Sequence, residues 1–232
     1  MSSIFKHITI DGQQPNAKRL AATSHRATRT AQPAPRLPVM ESFYSLQGEG
    51  FHSGKSAYFI RLGGCDVGCH WCDVKESWDV SAHPLIEIND LTREAVVYDP
   101  GIVVVTGGEP LMHDLKDLTD GLQLKGLRTH IETSGTHRLS GKWDWICFSP
   151  KKFKKPLPEI YQQAHELKVV VYHASDLHWA AQHATKVSAA CKLYLQPEWS
   201  KEDQMLPLIT DYIEQNPKWR ISLQTHKYLN LP

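Results

Sequence analysis

A chain of 232 residues, 41% hydrophobic and 22% charged, is long enough to bury a substantial core in one domain and is unlike a disordered or collagenous polymer. Its net charge of +1 hides an asymmetry, because residues 1–40 hold six Lys or Arg against the single acid Asp11, which leaves 20 basic and 24 acidic residues downstream. A mildly acidic body is poorly suited to gripping nucleic-acid phosphates directly, and no run approaches the roughly 18 apolar residues that span a bilayer, so a small-molecule substrate is expected.

Residues 11–38 are rich in Ala, Thr, Ser, Gln, Pro and Arg and lack helical or alternating apolar periodicity. Residues 1–38 are therefore read as a disordered leader, with a transit peptide or an alternative start at Met40 as the other readings. No apolar segment with a small-residue cleavage site appears at the N-terminus, and an odd count of five cysteines, three within eight residues, argues for reduced thiols in a cytoplasmic setting.

From residue 39 to 232 a single domain is expected, in which β-branched runs alternate with amphipathic stretches. Strands are predicted over 57–62, 102–106, 128–132, 145–148, 168–172, 192–195 and 221–224, and helices over 89–98, 114–125, 158–165, 176–190 and 201–216. Asn89, Asp114 and Asp176 are candidate helix caps. Repeated βα units imply an α/β fold around a parallel sheet, and six or seven strands are too few to close an eight-stranded barrel, so an open, partial parallel βα barrel is predicted. Polar or glycine-containing loops follow several strands: Gly107-Gly108-Glu109-Pro110, Ser134-Gly135-Thr136-His137, Ser149-Pro150-Lys151-Lys152 and Gln196-Pro197-Glu198-Trp199. Ligands in such folds bind beyond the C-terminal strand ends, so these loops should share one rim.

The segment Arg61-Leu-Gly-Gly-Cys65-Asp-Val-Gly-Cys69-His-Trp-Cys72 places cysteines at C-x3-C-x2-C in a glycine-rich loop after a strand. Three thiolates on a 4Fe-4S cubane leave one iron without a protein ligand, free to bind the amino and carboxylate groups of S-adenosylmethionine (SAM). Trp71 is positioned to cover the cluster. The competing reading is a zinc knuckle completed by His70, which must close a tetrahedral site in very few bonds. Cys147 and Cys191, distant from the triplet, are expected to be buried free thiols.

This cysteine spacing, the aromatic residue before Cys72 and the later GGEP together resemble the radical SAM superfamily, in which the GGE segment holds the SAM amino group. A closer resemblance, over about residues 37–232, is to the 7-carboxy-7-deazaguanine synthase family. It is carried by Phe43-Tyr-Ser-Leu-Gln-Gly-Glu-Gly50 with Arg61, the cysteine loop, Val105-Thr-Gly-Gly-Glu-Pro110, Ile131-Glu-Thr-Ser-Gly-Thr136, Ser149-Pro-Lys151, Leu195-Gln-Pro197 and the ending Ser222-Leu-Gln-Thr-His-Lys-Tyr-Leu-Asn-Leu-Pro232.

The resemblance implies a lyase that converts 6-carboxy-5,6,7,8-tetrahydropterin to 7-carboxy-7-deazaguanine with loss of ammonia in the queuosine pathway. It also implies a homodimer with flavodoxin or ferredoxin as reductant. Residue by residue, it places Leu46, Gln47, Gly48, Arg61, Thr106, Glu132, His226 and Pro232 on the substrate. It places Trp71, Cys72, Asp73, Gly108, Ser149, Pro150, Lys151, Gln196, Pro197, Glu198 and Trp199 on SAM. Where the family carries a Mg2+-binding threonine after Asp73, this chain has Val74, which puts Mg2+ in doubt. Two other functional classes compete: an activase that installs a radical on a partner protein, and a noncatalytic zinc module.

Overall fold

The computed structural model describes residues 34–232; the leader expected over 1–33 lies outside the described residues. The first strand begins at Arg36, inside the segment assigned to the leader.

The elements run β1 (Arg36–Leu46), β2 (Ser56–Leu62), β3 (Leu85–Glu87), α1 (Ile88–Val97), β4 (Ile102–Gly107), α2 (Lys116–Leu124), β5 (Thr129–Thr133), β6 (Trp145–Phe148) and α3 (Ile160–Gln163). They continue with β7 (Glu166–Val171), α4 (Ser175–Ala184), β8 (Lys192–Pro197), α5 (Glu202–Gln215), β9 (Trp219–Ile221) and α6 (Thr225–Tyr228). The strands form one nine-stranded sheet in the order β3-β1-β2-β4-β5-β6-β7-β8-β9. Pairing is parallel from β2 through β9, while β1 is antiparallel to both β2 and β3. With β3 and β9 left as edges the barrel is open, as predicted.

The predicted strand count of six or seven is corrected to nine. The missed β1 contains Pro38, which cannot donate to a ladder, and its register shifts between Val39 and Glu41, so it shows no clean alternation. Helix starts are also corrected: the residues before α1, α2 and α4 are Glu87, Leu115 and Ala174, none of them the predicted caps. Asp114 still accepts from Lys116 N at 3.0 Å, but Asp176 reaches backward, accepting from Tyr172 N and His173 N at 2.8 Å each. The helix predicted over 176–190 stops at Ala184, and the last strand sits at Trp219–Ile221 rather than 221–224, which frees Ser222–Gln224 to enter the site.

Strand periodicity sorts the sheet into two faces. Tyr58, Ile60, Leu62, Val103, Val105, Ile131, Phe148, Leu167, Val169 and Leu195 pack into the main core, where α1 contributes Ile88, Leu91 and Ala95 and α2 Leu118 and Leu122. Their i, i+3, i+4 and i+7 spacing gives each helix one apolar stripe. The alternate strand positions point into the barrel. There Phe43, Ala57, Phe59, Ile102 and Val104 make a small apolar cluster beside the polar His130, Glu132, Glu166, Lys168 and Gln196. Each inward charge costs free energy unless it finds a partner, so a polar barrel interior needs a chemical reason.

Candidate active site

A cleft with an empty volume of about 1410 Å³, its open mouth included, lies at the C-terminal ends of the parallel strands. Cys65, Cys69 and Cys72 line it together. Gly68, at φ +76, turns the loop through a conformation that a β-carbon resists, and Cys72 N donates to Cys69 O at 3.1 Å. Burial raises the Cys65 thiol and pushes Cys69 up to about 11. Loading metal on them must therefore displace protons, as thiolate ligation requires.

The GGE turn is clamped to the cysteine loop by backbone: Gly108 N donates to Leu62 O at 3.0 Å and Glu109 N to Gly64 O at 2.8 Å. The two chains come so close that a β-carbon on Gly108 would lie 2.2 Å from Gly64 O and 2.7 Å from Cys65 Cβ. Glu109 is 1% exposed, and its carboxylate accepts from Leu111 N, Thr133 Oγ1, Ser134 N and Ser134 Oγ. It therefore locks the loop after β4 to the loop after β5, in addition to facing the cleft.

The cysteine arrangement separates the two metal readings. Among the described residues no three His, Cys, Asp or Glu side chains converge on a single ion. His70, the fourth ligand of a zinc knuckle, instead packs edge-on against Phe153 and Tyr172 at 5.3 and 5.1 Å. A cubane takes its thiolates on separate irons, so three cysteines that line one cleft without a fourth ligand from His70 fit a cluster.

All the residues assigned to SAM except Pro150 line the cleft; Pro150 is buried and does not line it. Lys151 Nζ donates to Ser149 O at 3.0 Å and Ser149 Oγ at 2.6 Å and stands 5.7 Å from the centre of the Trp71 ring. Burial lowers the Lys151 pKa.

All eight residues assigned to the substrate line the same cleft. Arg61 and Thr106 are paired neighbours on β2 and β4. Arg61 Nε donates to Glu41 Oε1 at 2.6 Å, which orients the guanidinium and leaves its two terminal nitrogens for a carboxylate. At the floor, Glu132 accepts from Gln47 Nε2 at 3.0 Å and from Lys168 Nζ at 3.3 Å.

Sequence reasoning missed three floor residues: Glu49, Lys168 and Gln224. Glu49 accepts from Lys168 and, at 2.9 Å, from Gln224 Nε2. Burial alone would raise the Glu49 carboxyl, but the Lys168 charge and these two donors hold it at about 2. A signal existed, since Glu166 and Lys168 stand two apart among the apolar residues of a parallel strand, where charges are rare.

The C-terminal segment closes the cleft. Thr225 N and Oγ1 donate to Gly48 O at 3.0 and 2.9 Å, while Lys227 Nζ pairs with Asp73 at 2.9 Å and stands 5.0 Å from the centre of the Trp199 ring. Behind the floor lies a small chamber, with room for about one water, that shares Gln47, Glu49, Glu132 and Lys168 with the cleft and reaches His52, His130 and Glu166.

Three cysteines at one end of a cleft on the C-terminal rim of an open parallel βα barrel define a protein of the radical SAM class, and the Radical SAM superfamily model matches residues 59–170. Over 196 residues the chain is 56% identical to the 7-carboxy-7-deazaguanine synthase of Flavobacterium psychrophilum, covering 84% of this chain and 93% of that one. To the synthase of the same name from Synechocystis sp. it is 51% identical over 194 residues, with the same coverages. The crystal structure of QueE from Escherichia coli superposes with a TM-score of 0.72 at 33% identity, covering 82% of this chain and 95% of that one. The chain belongs to the 7-carboxy-7-deazaguanine synthase family.

Proposed function

We infer that this chain is a radical SAM carbon–nitrogen lyase that converts 6-carboxy-5,6,7,8-tetrahydropterin to 7-carboxy-7-deazaguanine with loss of ammonia, a step of queuosine biosynthesis. The observation that carries this reading is one cleft walled by the cysteine triplet, by Arg61 with free terminal nitrogens, and by the paired carboxylates Glu49 and Glu132.

When bound, the 4Fe-4S cluster and SAM supply a 5′-deoxyadenosyl radical. The chain's own residues do the rest. Arg61 takes the substrate carboxylate by a two-pronged contact, Thr106 stands beside it, and Glu49, Glu132 and Gln47 receive the pterin's polar edge. Phe43, Phe59, Val67 and Val170 line the cleft with apolar surface that keeps water from the reacting carbon. His226 and Pro232 close the substrate end, and Trp71, Ser149, Lys151 and Gln196 hold the nucleoside end.

The test is an anaerobic assay of reconstituted protein with dithionite, SAM and the carboxytetrahydropterin, followed by mass spectrometry. New deazapurine is expected; SAM cleavage without it would keep the class and overturn the substrate.

Val74 lines the cleft without a side-chain oxygen to offer, and the adjacent Asp73 carboxylate is paired with Lys227, so the chain presents a poor Mg2+ site. Val74→Thr adds a hydroxyl and is expected to tighten Mg2+ activation about tenfold. Equal Mg2+ responses in both proteins would overturn that role for position 74.

A cytoplasmic homodimer reduced by flavodoxin or ferredoxin, with no direct contact to nucleic acid, completes the reading. Among the described residues no helix is long and apolar enough to cross a membrane.

A further inference from the structure

The cleft floor contains a lysine that the chemistry above does not use. The Lys168 side chain is 4% exposed, and its ammonium bridges Glu49, 14% exposed, and Glu132, 24% exposed. The other oxygen of each carboxylate also has one donor, Gln224 Nε2 for Glu49 and Gln47 Nε2 for Glu132. Every carboxylate oxygen is thereby fixed in place with acceptor capacity left over for the cleft.

We propose that Lys168 is a positioning residue that holds Glu49 and Glu132 together as carboxylates, so that the floor presents two ionised acceptors and selects a ligand edge built of N–H donors, as an aminopyrimidine ring offers. The inference rests on the lyase reading of this cleft and adds to it the residue that sets the floor's hydrogen-bonding polarity.

Without the ammonium, two neighbouring carboxylates in a desolvated floor cannot both stay ionised, and one takes up a proton. A protonated carboxyl is a donor facing a donor, which rejects the ligand. The groups facing this pair from the packed elements are Cys147 on β6, Glu166 on β7, Lys151 after β6 and His226 on α6. Burial lowers the His226 pKa, which moves its titration away from the assay range given below.

The test compares wild type, Lys168→Met, Lys168→Arg and the double variant Lys168→Met with Glu49→Gln, reconstituted to equal iron content. Calorimetry with 6-carboxypterin, from about pH 6.5 to about pH 8.5, gives the ratio of variant to wild-type dissociation constants, which cancels the ligand's own ionisation. For Lys168→Met the ratio is expected to be about tenfold or more at the acid end and to shrink toward the alkaline end, because the carboxyl ionises as pH rises. Lys168→Arg, which keeps the charge, and the double variant, which removes the second charge, should both give ratios independent of pH. Binding by wild type with a uniform loss in Lys168→Met would overturn this inference alone. No pterin binding by iron-replete wild type would overturn the lyase reading and this inference with it.

Discussion

Gly108→Ala is expected to lower SAM cleavage about a hundredfold or more without removing a single ligand of cluster, SAM or substrate. The reason is steric. The added methyl group would stand 2.2 Å from Gly64 O and 2.7 Å from Cys65 Cβ, and neither atom is the far end of a flexible side chain that could give way. The turn after β4 and the cysteine loop must separate, straining Gly108 N to Leu62 O and Glu109 N to Gly64 O. Overpacking of this kind costs about 1–3 kcal/mol, which a domain of this size tolerates, so the barrel should persist. A shift of about 1 Å in Cys65 relative to the SAM wall is enough for the loss of rate. The measurement pairs iron content and far-ultraviolet circular dichroism with 5′-deoxyadenosine formation. Wild-type rates from the alanine variant would show that the two loops are not coupled in this way.

The second large effect is on stability toward acid. His52 and His130 are 7% and 3% exposed, their rings are 4.5 Å apart, and both His52 nitrogens and His130 Nε2 lack a hydrogen-bond partner. Burial, aided by the charges of Lys55 and Arg128, holds His52 down at about 4, and burial with His52 and Arg128 holds His130 at about 3. Unfolded histidine binds its proton near pH 6.5, so the folded state is fully stable above that value and loses stability as pH falls toward 4 and then 3. At about 1.4 kcal/mol per unit, discounted for solvent screening and for the part of the His130 shift that His52 itself causes, the two together amount to a few kcal/mol, lost mainly between about pH 6 and about pH 4. Glu166 works in the opposite direction, since burial raises its carboxyl; its contribution is present at low pH and fades as pH rises through the folded value. Urea titrations across this range should therefore show a steep acid slope in wild type and a shallower one in His130→Leu. Parallel slopes would mean that these imidazoles do not control acid stability.

Both effects arise from features with different legibility. The cysteine spacing, the GGEP turn and the family-ordered short segments named most of the side chains that line the cleft, and parallel strands such as Ile102–Gly107 announced themselves as β-branched runs. These signals are local: the three cysteines sit within eight residues, and a strand's pattern repeats every second position. The antiparallel β1, interrupted by Pro38 and a register shift, has no such pattern and became visible only through its pairing with β2 and β3.

What the sequence by itself determined was the class of chemistry, the cysteine triplet and the open parallel architecture, because those are written in contiguous spacing. Tertiary structure alone decided the rest. Lys168 meets Glu49 and Glu132 across 119 and 36 residues of chain, Lys227 meets Asp73 across 154, and Gly108 abuts Cys65 only when two loops dock. A charge in a sequence does not name its partner. The low-dielectric interior does, by making every buried charge that lacks one too costly to keep.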